Sequence, residues 1–156
     1  MKDTVQVDSL DRKILRALQR RGDMSNAELA EQVGASPASC WRRVRALDAA
    51  DILGPTVRLL NPYAIGRGLD VICQVRMKSH DGRTREEFEQ FVAGREEVME
   101  CFSMSGEWDY LLRIVAADVR DYERFLMGKL LTHPSVAAST SHFALKRVKY
   151  TTAMPV

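Results

Sequence analysis

Apolar residues in the first fifty positions recur every three or four residues, whereas those after the middle of the chain alternate one by one. The first rhythm is helical. Leu10, Ile14, Leu15 and Leu18 define an opening helix with Asp8 as its cap, and Arg20, Arg21 and Gly22 end it. Ser25 and Glu28 stand at the spacing at which each side chain satisfies the other's free backbone donor, and Leu29, Ala30 and Val33 follow on one face before Gly34 stops this short helix. A third helix begins at Ser36, a good cap, with Pro37 in the first turn, where its missing N–H leaves nothing unpaired. At about 100° per residue, Cys40, Val44 and Leu47 share one stripe while Ala38, Arg42, Arg45 and Ala49 point the other way. Small Ala30 permits close approach, so Cys40, Val44 and Leu47 are expected to close a core with Leu15 and Leu18. Two helices meeting across Gly34-Ala35-Ser36 form a helix-turn-helix.

Asp51-Ile52-Leu53-Gly54-Pro55 breaks the third helix, and the β-prone residues 56–60 predict a short wing or hinge strand before a linker at Asn61-Pro62. Beyond it Leu69, Val71, Cys73, Val75 and Met77 alternate with mostly polar neighbours, the mark of a strand with one buried face. A helix over 84–94 carries Phe88, Phe91 and Val92, strands follow over 98–104 and 109–115 around the turn Ser105-Gly106-Glu107-Trp108, and Asp118 caps a helix with Tyr122, Phe125, Leu126 and Leu130. The last strand is predicted over 139–148. Phe88-Glu89-Gln90-Phe91 is echoed by Tyr122-Glu123-Arg124-Phe125, which fits the two halves of a ferredoxin-like βαββαβ sheet. The chain is thus α+β, with a helix-turn-helix domain over 1–54, a wing and linker over 55–65, and a ferredoxin-like domain over 66–156. Such a sheet carries its helices on one face. Val71, Cys73, Val75, Phe102 and Leu112 promise more apolar surface than two helices cover, so the helix-free face is expected to pair with a second copy.

With 156 residues and 46% hydrophobic content the chain can bury a real core, and a net charge of +2 makes it no bulk polycation. Residues 1–54 hold nine Lys/Arg against eight Asp/Glu, so any affinity for nucleic acid rests on the local patch of Arg42, Arg43 and Arg45. Cys40, Cys73 and Cys101 are odd in number, far apart and each in an apolar segment, which predicts buried thiols in a cytoplasmic protein. No apolar signal core or membrane-length run occurs. His80, His133 and His142 share no ligand spacing with each other or with a cysteine, and no nucleophile elbow, phosphate loop or carboxylate pair is present, so neither metal, cofactor nor catalysis is expected.

Several runs resemble the Lrp/AsnC family of transcriptional regulators: Leu10-Asp11-Arg12-Lys13-Ile14-Leu15, Ser25-Asn26-Ala27-Glu28-Leu29-Ala30, Ser36-Pro37 with Cys40 and Arg43-Val44, Leu60-Asn61-Pro62, and Ser105-Gly106-Glu107-Trp108-Asp109-Tyr110-Leu111-Leu112. Cys40-Trp41 and the ending Lys149-Tyr150-Thr151-Thr152 with Pro155 are similar to a proteobacterial-type branch. Asp51 stands where many members carry glycine, and Arg42 where an acidic or polar residue is frequent. The resemblance implies a winged helix-turn-helix that binds double-stranded DNA at an imperfect palindrome through the major groove. It also implies a ferredoxin-like domain that binds a small amino acid, in homodimers that assemble further to tetramers or octamers. On this reading Ser36, Ala38, Ser39, Arg42, Arg43 and Arg45 are the DNA-binding candidates, Arg43 being equally open to an ion pair within the domain. Trp41 is expected to pack against the wing. The effector candidates are Ser105, Gly106, Glu107, Trp108 and Asp109 at the turn, with His142, Phe143 and Ala144 on the last strand. Gly106 can bring backbone N–H groups up to a carboxylate, and Asp109 can pair with an ammonium group. A nucleoid-structuring protein and an amino-acid-sensing enzyme subunit are the alternatives; the second leaves the arginine-bearing helix unexplained.

Overall fold

The computed structural model describes residues 6–156, so the first five positions of the expected 1–54 domain lie outside the described residues. Three helices come first: α1 (Ser9–Leu18), α2 (Asn26–Val33) and α3 (Pro37–Ala49). Each starts where the sequence supplies a cap. The Asp8 carboxylate accepts from Leu10 and Asp11 N–H, Ser25 and Glu28 bond reciprocally, and the Ser36 hydroxyl accepts from Ser39 N–H. Gly34 closes α2 at φ 71°, a left-handed backbone that glycine adopts without a Cβ penalty, and this turns the chain into α3 within three residues. Asp51 takes φ 57° after α3, so the aspartate occupies the left-handed position without a glycine. Ile14, Leu15, Ala17, Leu29, Ala30, Val33, Cys40 and Leu47 form the core, with Leu18 and Val44 packed against it.

The chain divides into two compact units, Met1–Leu59 with Lys149–Val156, and Leu60–Val148. Residues 149–156, read from the sequence as part of the 66–156 domain, instead pack on the three helices. Gln19 pairs with the backbone of Met154, donating to its carbonyl at 3.1 Å and accepting from its N–H at 2.5 Å. Arg16 Nε donates to the Val156 carbonyl oxygen at 2.8 Å, and the Val156 side chain joins the apolar cluster. The wing strand is not formed. Residues 56–60 pair with no strand among the described residues, because a β-prone segment needs a neighbouring edge to close its hydrogen bonds; Val57, Leu59 and Leu60 stay exposed.

The second unit runs β1 (Leu69–Met77), α4 (Gly82–Ala93), β2 (Val98–Ser103), β3 (Tyr110–Ala116), α5 (Val119–Phe125) and β4 (Val136–Phe143), with α5 continuing as a π-type turn over Leu126–Leu130. This is the βαββαβ order, folded as one sheet in the order β2-β3-β1-β4 with every neighbouring pair antiparallel. The last strand ends at Phe143 and not at Val148. Phe88 and Val92 of α4 and Tyr122 and Phe125 of α5 share a core with Val71, Cys73, Val75, Leu112 and Ile114, so both helices lie on one face. That corrects the expected lining of the helix-free face. Val71, Cys73, Val75 and Leu112 point at the helices and are fully buried within one chain. By alternation the opposite face receives Ile72, Gln74 and Arg76 of β1, Leu111, Arg113 and Val115 of β3, Phe102 of β2, and Thr140 and His142 of β4. Cys40 and Cys73 are buried as expected, but Cys101 is exposed because β2 is an edge strand.

Candidate DNA-binding and effector surfaces

The outward face of α3 carries Ala38, Trp41, Arg42 and Arg45, all exposed. Neither Arg42 nor Arg45 forms an ion pair among the described residues. Ser36 and Ser39 are joined through the cap, at 3.2 Å, so they position the start of the helix. Trp41 stands 56% exposed with no wing to cover it, contrary to the packing expected from the sequence.

Arg43 behaves differently from its neighbours. Its guanidinium is 28% exposed and holds Asp8 Oδ2 at 2.6 Å and Asp11 Oδ1 at 2.8 Å. The two carboxylates divide their oxygens between two tasks. Asp8 Oδ1 accepts from Leu10 and Asp11 N–H, and Asp11 Oδ2 accepts from Asp8 N–H, leaving one oxygen of each for Arg43. The cap of α1 is therefore also the anchor of α3. The Asp11 N–H and then the Arg43 guanidinium hold the Asp8 carboxyl below its ordinary value of 3.8, and the Arg43 pKa is raised by Asp11 and Asp8 in return. Of the two readings open for Arg43, the structure forms the ion pair within the domain.

In the second unit the turn after β2 holds Ser105, Gly106, Glu107, Trp108 and Asp109. Gly106 sits at φ 118°, where an L side chain is strained. The N–H groups of Ser105, Gly106, Glu107 and Trp108 find no acceptor among the described residues, whereas Met104 N–H donates to Asp109 O at 2.8 Å and closes the turn. Asp109 is already engaged. Its Oδ2 accepts from Met77 N–H at 2.7 Å, its Oδ1 bonds His80 Nε2 at 2.8 Å, and its own N–H donates to Val75 O at 2.9 Å. Burial raises the Asp109 pKa, but the Met77 and His80 hydrogen bonds outweigh that and hold it down. The carboxylate read as an ammonium partner thus pins the turn to the end of β1. Arg76 of β1, which sequence inspection passed over, pairs with Glu107 at 2.5 Å and lies over the Trp108 ring at 4.8 Å. Its signal was a cation at a polar position of an otherwise apolar strand.

The other effector candidates do not meet this turn. His142 pairs with Ile72 and Phe143 with Val71, and Ala144 N–H donates to Asp70 O at 3.0 Å. The turn sits by Val75 and Met77, so the two groups lie about five residues apart along β1, or roughly 15 Å at the rise of a strand. His142 and Phe143 also take opposite faces, Phe143 meeting Tyr122 on the helix side at 5.7 Å in an edge-to-face contact. One chain alone does not gather these residues into a pocket. Among the described residues no group of His, Cys, Asp and Glu is arranged to hold a metal ion, and no helix is long and apolar enough to cross a membrane.

A capped tri-helical unit with an arginine-bearing third helix, followed by a βαββαβ sheet, is the architecture of a two-part regulator. Comparison with known proteins also gives two parts, the second running on to residue 154. Residues 7–48 match the AsnC-type helix-turn-helix domain, and residues 70–154 match the Lrp/AsnC ligand binding domain. Over 150 residues the chain is 35% identical to the DNA-binding transcriptional activator DecR of Escherichia coli (strain K12), covering 96% of this chain and 99% of that one. The glutamate uptake regulatory protein of Zymomonas mobilis is 34% identical over 150 residues, covering 96% and 91%. The transcriptional regulator NMB0573 of Neisseria meningitidis, solved as a complex with L-Met, matches with a TM-score of 0.93 at 37% identity over 96% of this chain and 97% of that one. The chain belongs to the Lrp/AsnC family of transcriptional regulators.

The Asp8–Asp11–Arg43 cluster predicts a pH signature. Asp8 has a depressed pKa in the folded state, so the stability it contributes is complete above its ordinary value of 3.8 and is lost as pH falls through the folded value. Arg43→Ala should lower the melting temperature at neutral pH, and its gap from the wild type should narrow in melts recorded down to about pH 3. A gap that stays constant across that range would assign Arg43 no part in anchoring α3.

Proposed function

We propose that α3 lies in the major groove of each half of an imperfect palindrome, with Arg42 and Arg45 as the DNA contacts and Ala38 as the point of close approach. The observation that supports this is the division of labour on one helix: Arg43 is held by Asp8 and Asp11, while Arg42 and Arg45 face outward and pair with no carboxylate among the described residues. Ser36 and Ser39 then set the start of the reading helix. A dimer places two such helices about one turn of DNA apart, and the protein acts in the cytoplasm on chromosomal DNA.

The second unit senses a small amino acid. L-Met in the Neisseria complex gives the class of ligand, and the N–H groups around Gly106, unbonded among the described residues, are suited to its carboxylate. Because the turn and the residues His142, Phe143 and Ala144 are separated within a chain, the site is completed where two copies meet. Asp109 holds the turn in place and Glu107 with Arg76 forms its polar rim. Dimerisation uses the helix-free face, where Ile72, Leu111, Val115 and half-exposed Phe102 form the apolar part.

Three experiments test this reading. Arg42→Ala combined with Arg45→Ala should cost about 1 to 3 kcal/mol for each base-reading arginine and flatten the salt dependence of operator binding; unchanged affinity and salt slope would remove α3 from the interface. In a thermal-shift screen of the twenty amino acids, at least one should raise the melting temperature, because it binds only the folded state. Ser105→Asp, which adds a negative charge beside the proposed carboxylate site, should erase that shift while leaving the unliganded melting temperature in place. Phe102→Glu should convert a dimer into a folded monomer in sedimentation; a dimer that survives it uses another face.

A further inference from the structure

Trp41 is the one large apolar side chain of α1–α3 that stands exposed among the described residues. An indole is costly to leave in water, since its apolar area is worth about 25 cal/mol per Å² when buried. The described residues of the first unit leave more than half of it uncovered. Its surroundings identify what covers the rest. Successive residues of a helix are 100° and 1.5 Å apart, so Trp41, Arg45, Ala38 and Arg42 fall within about 100° of arc and about 10 Å of axis, the length of roughly three base pairs. Two cations that pair with no acid among the described residues flank the ring, and a small residue lies beside it. The partner is therefore a polyanion that also offers apolar surface at the depth a helix reaches. In the major groove of duplex DNA that surface is the 5-methyl group of thymine.

We propose that Trp41 is a specificity-determining residue that selects operator positions by packing its indole on thymine methyl groups. This rests on the DNA-reading role proposed for α3 and adds to it a residue that reads apolar surface, where Arg42 and Arg45 read hydrogen-bond acceptors and phosphates. Trp41 lies in the second turn of α3, within the N-terminal part of a recognition helix that faces base edges. Its exposure also means that truncating it removes little from the core of the unit.

The experiment uses the full chain and a duplex selected by it from a random pool, in which each thymine is then replaced in turn by deoxyuridine. That exchange deletes only the methyl and leaves every hydrogen-bonding group in place. Wild-type affinity should fall about fourfold at one or two positions of each half-site, the factor that corresponds to about 0.8 kcal/mol for one methyl-sized contact. Trp41→Ala should bind the thymine and uracil duplexes equally at those positions, Trp41→Phe should keep part of the discrimination, and both variants should melt with the wild type. A selected site without thymine, or a uracil penalty of the same size in Trp41→Ala as in the wild type, would overturn the proposal. If that happens while the Arg42→Ala, Arg45→Ala double variant still loses affinity, α3 remains the reading helix and only the role of Trp41 falls; if the double variant binds like the wild type, both fall.

Discussion

The two-sidedness of β1 governs the second unit. This strand lies between β3 and β4, so a single alternation sets which side chains of three strands reach the helices. Val71, Cys73 and Val75 go inward and bring Ile114, Leu112 and Tyr110 with them, while Ile72, Gln74 and Arg76 go outward with Arg113 and Leu111. A slip of one residue would expose the whole apolar row and bury a charge, and the cost of that error keeps the register unique. The same alternation places His142 and Phe143 on opposite faces. A ligand site that drew on both ends of this sheet, as proposed, would therefore be a property of an assembly, and the energy forming that assembly would also shape the site.

The first unit solves a different problem. Three short helices bury few residues, and small domains are only marginally stable. Polar groups are accordingly used twice. Asp8 and Asp11 cap α1 and also hold Arg43, so that the helix presenting the outward arginines is fixed in orientation by charge as well as by Cys40 and Leu47. Orientation matters for the proposed role of α3, because hydrogen bonds to base edges would tolerate little rotation of a reading helix.

Local signals were legible in the sequence and distant ones were not. Asp8, Ser25 and Ser36 announced three helix starts because a cap is decided within four residues, and Leu69 to Met77 announced a strand because alternation is visible in the chain itself. The face assignment failed for Val71, Cys73 and Val75 because composition cannot say on which side the helices will lie. The partners of Asp109 stayed hidden for a related reason: Met77 and His80 are about thirty residues earlier, and only strand pairing brings them to it. The region 56–60 was read as a strand on propensity alone, which supplies no partner for its backbone groups. Arg43 had two readings that the sequence left open, and the decision came from the splitting of two carboxylates between tasks, a matter of individual oxygen atoms.

The docking of residues 149–156 on α1 bears on how the protein is made. Gln19 and Met154 are joined across 135 positions and Arg16 and Val156 across 140, so these bonds close the longest loops in the molecule. Closing such a loop costs entropy that grows with the logarithm of its length, and nothing can close it until the far end exists. The three helices leave the ribosome about 100 residues before the segment that docks on them, a delay of roughly 5 to 20 s at ordinary translation rates. For that interval the nascent helical unit exposes the apolar surface that Val156 later covers.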